Sequence, residues 1–592
     1  MRGKSPHGYR VFVVFFINLT VSYSKPKQPA QKTIIPKVPD KTIRDNIRQS
    51  VFRIPYPLLW LALAVLVVYF PAFFMKFTEL DDAIFIRDFQ AYNEDINNLF
   101  TSFQRGLFDA VKDPYYRPLF QDSIILNYQF SGQNIMSYHV VNVMLHMISV
   151  LLLYKLFRKL AIKELPAFIL CLVFAVHPVL SQAVAWIPGR NDTLLAIFIL
   201  SFFLFSIGYT TSGKLKSLLS SELFLLLAFF TKETAVFAAP AAFILLVVVL
   251  KNKWSGRRNL FQYGMWAGCF LIWFFARSQA TIQSSGIATA RAFKDFIHRL
   301  PVIIQYTGKI FLPFNLSVFP IQEDTVYYYG ILSIILLAVL IILYKERNMR
   351  VILGGFAIFL LFLMPALLVP LRLNEQTFEH RLYLPMIGIL LILSQTALLH
   401  NKLSPKNLFI GSMALCILLA GINFKHQQNF SDPLTFWTSA AETSPNSAYA
   451  NMMLAARLDK AQFERSCALF RKAYRLNPKE KYLNFYIGDM LQKKDSVSAS
   501  EKFLLAEKNS SGYYQCDFLL ARVAMEKKDF QGAIEYLKNY LKTDTKNGPA
   551  NNNLLLLYID THQPENAKNQ IKHMQQLNME VPAQLRGQLG MY

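Results

Sequence analysis

At 592 residues, with 53% of them hydrophobic and 50 phenylalanines, and with a mean hydropathy of +0.27, the chain is too apolar for a string of soluble domains. It reads as a multi-spanning membrane protein with a polar appendage. The net charge of +24 raises nucleic acid as a partner, but the Lys and Arg are spread over short loops and the tail, a membrane-topology pattern that excludes that class.

Residues 1–54 are expected to form a basic cytoplasmic leader. The stretch Val11 to Tyr23 looks like a signal peptide, but cleavage would send Lys25, Lys27, Lys32, Lys37, Lys41, Arg44, Arg48 and Arg53 outward, against the positive-inside tendency. From Pro55 onward, apolar windows predict spans near 55–75, 138–157, 165–182, 193–209, 218–231, 234–250, 262–277, 328–344, 351–370, 382–399 and 407–424, about eleven in all. Basic clusters fall on alternate loops, which assigns those loops to the cytoplasm. The stretch 296–319, broken by Pro301, Lys309 and Pro313, preserves the alternation if it does not span. The C-terminus then lies outside.

The external loops hold the chemistry. Asp81-Asp82 follows the first span. An isolated acidic pair is ordinarily a helix cap or a solvated loop charge. At the mouth of a span it can instead supply one carboxylate as general base and a second to orient a hydroxyl or hold a divalent cation, a question the sequence leaves open. Arg117 in Tyr115-Tyr116-Arg117-Pro118-Leu119 offers a planar fork of donors for an anionic oxygen, or a loop salt bridge, Asp113 being the available partner. His139, Asn142 and His146 share one face of the second span, as a functional site or a helix–helix hydrogen-bond seam. The run from His177 to Asp192 puts His, Trp, Arg, Asn and Asp in one turn, more than a reversal requires. Farther on stand Lys232-Glu233, Arg372, and Glu379-His380-Arg381. If Arg117, Arg190, Lys232, Arg372 and Arg381 converge, they form a cationic pocket beside the acidic pair, suited to a phosphate next to a hydroxyl.

A linker over 426–443 leads to a tail, 444–592, with an internal repeat. Ala499, Ala533 and Ala567 recur at about 34 residues, as do Asp495 and Asp529, while Phe503, Leu537 and Ile571 keep an apolar position in step. This is the tetratricopeptide period, with about four units; such a solenoid implies a protein or peptide partner, not a reaction. The five cysteines show no CxxC and no metal-ligand spacing.

The ordered strings DD, YYRPL, YHVVNVMLHMISVLLLYKLF, HPVLSQAVAWIPGRND, TKET, LPFNLSVFP and EHRLYLP, followed by the repeats, resemble the transmembrane and tetratricopeptide-repeat family of protein O-mannosyltransferases and its bacterial relatives. The resemblance spans roughly 55–580. It implies an all-α polytopic core (55–425) of the C-type glycosyltransferase kind and a polyprenyl-phosphate-linked sugar, mannose or another hexose, as donor. It also implies an acidic residue in the first external loop, Asp82 or Asp81, as catalytic base, and repeats on the same side as the loop. Arg117, His139, His177, Arg190, Asp192, Lys232, Glu233, Arg372, His380 and Arg381 are then expected to bind donor or substrate, and Ser/Thr hydroxyls of proteins to accept the sugar. Members of the wider superfamily work with and without a metal.

Two readings compete. A related enzyme would glycosylate a glycan or lipid; a scaffold would use the core as an anchor, and its outer polar motifs would not converge. The external side is the bacterial periplasm, or the endoplasmic reticulum lumen if the chain is eukaryotic; Phe- and Lys-rich usage and the short tail favour the bacterial inner membrane. A reporter fused after Gly590 is expected to read the external compartment and one fused after Lys253 the cytoplasm; a cytoplasmic readout at Gly590 overturns the topology.

Overall fold

The computed structural model describes residues 54–108, 115–281, 289–369, 375–400, 404–494, 496–582 and 585. The leader, Asp109, Asp113, Arg372, Asp495 and Gly590 lie outside them. The described residues are helical with no β-strand; Ile321 and Gln376 form an isolated antiparallel bridge. All eleven predicted windows contain helix. Among the described residues, five helices are long and apolar enough to cross a membrane: Pro57–Phe74, Ile135–Lys159, Ile187–Ser212, Met349–Leu368 and Pro405–Phe430. A sixth is counted if Glu164–Val176 and Pro178–Ala185, bent by 50°, act as one span.

The other windows fall short for local reasons. The window at 234–250 divides into a 3-10 turn, a short α-helix and a π-helical turn, and Tyr328–Ile342 has 15 residues. Arg257–Ala280 is long enough but polar, with Gln262 buried and Arg277 in its last turn. At 382–399 the main α-helix, Pro385–Leu393, is separated from a short one, Ala397–His400. Its Gly388 faces Gly355 of Met349–Leu368 so closely that a Cβ at Gly388 would sit 2.3 Å from the Gly355 carbonyl oxygen. Backbones meet there because neither residue has a side chain.

The stretch predicted not to span folds as Thr289–Arg299 and Val302–Phe311, parted at Pro301. Lys309 pairs with Glu379 at 2.7 Å, both essentially unexposed; Glu379 also accepts from the Ser317 backbone N–H at 2.9 Å and lies 3.3 Å from His426 of Pro405–Gln427. One carboxylate thus ties three segments together. The second-span polar face is a hydrogen-bond seam. His146 Nε2 donates to the Ala175 carbonyl and Nδ1 accepts from the Tyr383 hydroxyl, while the Asn142 amide donates to the carbonyls of Val184, Trp186 and Ile187.

Beyond the spans, four helix pairs follow. Their second helices are Phe463–Leu476, Val497–Ser511, Phe530–Leu541 and Pro564–Gln576. The buried small residue at the fourth position of each is Ser466, Ser500, Ala533 and Ala567, and the buried apolar residue four further on is Phe470, Leu504, Leu537 and Ile571. The expected Ala499 and Phe503 are therefore one residue out of phase: Ala499 is exposed, and Ser500 and Leu504 take the packing positions.

The array is joined to the core through Pro433–Thr443. Its Trp437, fully buried, donates to the Thr78 carbonyl at 3.1 Å; the Lys76 N–H donates to the Ser431 carbonyl; Ser444 Oγ donates to the Phe319 carbonyl; and Asn446 donates twice to Asp324. Breaking the buried Lys309–Glu379 pair from one side leaves an uncompensated ammonium. Glu379→Ala is expected to cost about 3–5 kcal/mol, read as a lowered Tm in detergent, whereas Lys309→Met/Glu379→Leu recovers most of it.

Candidate active site

The turn after the first span is built by Thr78 and Glu79. Glu79 sits at φ 57, a left-handed conformation that few non-glycine residues adopt, and its carboxylate is held by Arg87. The chain then presents its two aspartates differently. Asp82, 1% exposed, accepts from the Thr78 N–H at 2.6 Å, the Thr78 hydroxyl at 3.0 Å and the Ala83 N–H at 3.0 Å. Asp81 instead lines a cavity of about 530 Å³. Burial, then the Asp82 charge, push Asp81 up to about 7 against the pull of Arg117; burial pushes Asp82 up to about 6 against its Thr78 and Ala83 hydrogen bonds.

The same cavity is lined by Arg117, Asp192, Lys232, Glu233, Arg277, His380 and Arg381. Six of these seven were expected at the site. Arg117 stands just before Pro118–Ser131 and donates Nε to Glu233 at 3.0 Å, while the Tyr116 N–H takes the other Glu233 oxygen at 3.0 Å. Burial would raise Glu233, but the Arg117 charge and these hydrogen bonds hold it below the usual carboxylate range. Lys232 follows Leu215–Thr231 and pairs with Asp192 at 2.6 Å; burial lowers its pKa, partly offset by Asp192. Arg381 donates to the Gln376 carbonyl at 2.9 Å and lies over Phe378.

His380 is oriented by Gln182. The Gln182 Nε2 donates to the Val318 carbonyl at 3.0 Å, so its Oε1 accepts from the His380 N–H and from His380 Nδ1. Burial, then the charges of Lys232, Arg381 and Arg117, hold His380 well below its ordinary pKa, and it is neutral at pH 7.

Besides Asp82, three expected site residues among those described do not line the cavity. Arg190 is fully buried and donates to Asn142 Oδ1, the Ser123 carbonyl, Asn127 Oδ1 and the Tyr138 carbonyl. It therefore locks helices together, with four of its five N–H donors spent on protein acceptors. His177 donates Nε2 to the Ile310 carbonyl and accepts the Val179 N–H at Nδ1, a helix-capping role. His139 is buried in Ile135–Lys159. Arg372 lies outside the described residues. Sequence reasoning missed Arg277, whose guanidinium lies 5.7 Å from the Trp273 ring centre. A charged residue in the last turn of an apolar run is the signal that could have found it. Among the described residues no cluster of three or more His, Cys, Asp or Glu is arranged to hold a metal ion.

Apolar helices of spanning length around a cavity of acids and cations define a multi-pass membrane protein with an enzyme-like site. Residues 118–276 match the model of the dolichyl-phosphate-mannose-protein mannosyltransferase family. The chain is similar to the mouse protein O-mannosyl-transferase TMTC1, 36% identical over 136 residues, 22% of this chain and 14% of that protein. It is 22% identical to human TMTC1 over 448 residues, 63% of this chain and 49% of that protein. A protein O-mannosyl-transferase of Caenorhabditis elegans, F38B6.6, is 40% identical over 89 residues, 14% of this chain and 13% of that protein. The chain thus spans about half or less of the curated relatives it matches. Over these stretches the chain resembles protein O-mannosyl-transferases.

The two kinds of arginine are expected to separate on substitution. Arg190→Ala strands four buried acceptors and lowers stability by about 3–4 kcal/mol, measured as Tm. Arg381→Ala leaves the Tm nearly unchanged but weakens binding of a phosphate-bearing ligand, measured by titration.

Proposed function

We propose that the chain transfers a hexose, mannose foremost, from a polyprenyl-phosphate donor to Ser or Thr hydroxyls of protein acceptors on the external face of the membrane. The observation that carries this reading is the meeting of Asp81 with Arg117, Lys232, Arg277 and Arg381 around one cavity. A scaffold has no need of that convergence. The name of the matched family adds weight to mannose and to protein as acceptor.

In this mechanism Asp81, ionised, takes the proton of the acceptor hydroxyl, whose oxygen attacks the anomeric carbon. The bond from that carbon to the phosphate oxygen breaks, its electron pair leaves with the polyprenyl phosphate, and the configuration inverts. Lys232, Arg117 and Arg381 stabilise the departing anion, which makes a strong general acid unnecessary. Asp82 holds the turn. The repeats, attached beside the Asp81 loop through Trp437, bring the acceptor polypeptide to the mouth. The external face is the periplasm in a bacterium and the endoplasmic reticulum lumen in a eukaryote.

A base must be ionised to act, so kcat/KM is expected to rise with pH through about 7, the value to which Asp81 is pushed. Asp81→Asn is expected to lower the rate on the order of 10²–10⁴-fold and abolish that pH limb. Asp82→Asn keeps it. Purified protein, a polyprenyl-phosphate mannose and an acceptor peptide suffice for the measurement; full turnover in a folded Asp81→Asn variant sinks the assignment.

A further inference from the structure

One wall of the cavity holds polar atoms that the protein itself does not satisfy. Trp186, Asn191 and Asp192 line it, each residue is 5% exposed, and Trp186 Nε1, Asn191 Oδ1 and Asp192 Oδ2 are buried with no hydrogen-bond partner. Their companion atoms are committed. Asn191 Nδ2 donates to the Pro188 carbonyl at 3.1 Å, which orients the amide with its oxygen unpaired, and Asp192 Oδ1 takes Lys232. Buried polar groups in folded proteins are nearly always paired, so three unpaired atoms on neighbouring residues of one wall point to a ligand that completes them.

The chemistry of the missing partner follows from the atoms. Asn191 Oδ1 and Asp192 Oδ2 accept and Trp186 Nε1 donates, so the ligand must both donate and accept, as hydroxyl groups do. An ionised phosphate only accepts and is repelled by the Asp192 carboxylate. The same wall is flat and aromatic: the Trp186 ring stacks on Phe378 at 6.2 Å between centres and lies 5.6 Å from His380. A pyranose has this dual character, with C–H groups on a face and hydroxyls around the rim.

We propose that Trp186, Asn191 and Asp192 form the hexose subsite, recognising the hydroxyls of the transferred sugar while the cations across the cavity hold its phosphate. The inference rests on the transferase reading above and adds the residues that choose the sugar. A site built to bond a hydroxyl discriminates against the analogue that lacks it.

The test uses the full chain in lipid nanodiscs with an acceptor peptide, polyprenyl-phosphate mannose and its monodeoxy analogues. The wild type is expected to lose about 10- to 100-fold in kcat/KM on at least one monodeoxy donor. Trp186→Phe, which removes the N–H and keeps a ring, and Asp192→Asn are each expected to erase discrimination at a particular hydroxyl. Inhibition by sugar-free polyprenyl phosphate stays unchanged in Trp186→Phe. Variants that slow every donor alike, or a wild type indifferent to every missing hydroxyl, overturn the subsite. If Asp192→Asn does not fold, the Trp186→Phe comparison decides alone. A wild type that transfers from no polyprenyl-phosphate hexose overturns the transferase reading itself.

Discussion

Thr78 is the residue on which the geometry of the site depends. Its backbone N–H and its hydroxyl both hold the Asp82 carboxylate, and its carbonyl is held by Trp437 from beyond the last span. A six-residue turn could not keep a carboxylate pair in fixed directions by itself, since like charges on neighbouring residues repel and each gains from turning to water. Pinning one of them to three donors leaves the other to face the cavity. The left-handed Glu79, its carbonyl held by Arg457 at 3.3 Å, completes a turn braced from both sides.

Around the cavity the charges are organised as pairs whose members come from distant segments: Arg117 with Glu233, and Lys232 with Asp192. Partial burial makes an unpaired charge costly, so each of these two cations brings a carboxylate with it. An anion entering the space meets Arg117 and Lys232 already oriented, and meets Arg381 and Arg277 on aromatic faces. Lys309 and Glu379, deeper and drier, serve a different purpose. They fasten the residue next to His380 to the Val302–Phe311 helix, so the cavity wall is anchored by an ion pair that does not line it.

Much of this was legible in the sequence because polar residues in apolar runs are conspicuous. The strings around Asp81, Arg117, Lys232 and His380 name the cavity almost in full. What spacing could not reveal was direction. Asp82 and Arg190 have the same chemistry as Asp81 and Arg381, yet hydrogen bonds consume them: to the neighbouring Thr78 and Ala83 for Asp82, and to Asn127 and Tyr138, far along the chain, for Arg190. Helix breaks within apolar windows were equally hidden, because the residues of 234–250 remain apolar while the backbone winding changes. In the repeats, the period was visible and the phase was not: Ala499 beside Ser500 offered two small residues, and only burial distinguishes them.

The hydrogen bonds that fasten the tail to the core come from Ser431 to Arg457, before the second helix of the first pair begins. Each later pair packs on its neighbours, in the manner of a stack whose units make only nearest-neighbour contacts. Length is therefore decoupled from chemistry. Pairs gained or lost past Phe463 would change the length of the stack while the Trp437 clamp and the carboxylate turn stay as they are. A lineage could lengthen its reach by duplication alone, with no compensating change in the membrane domain.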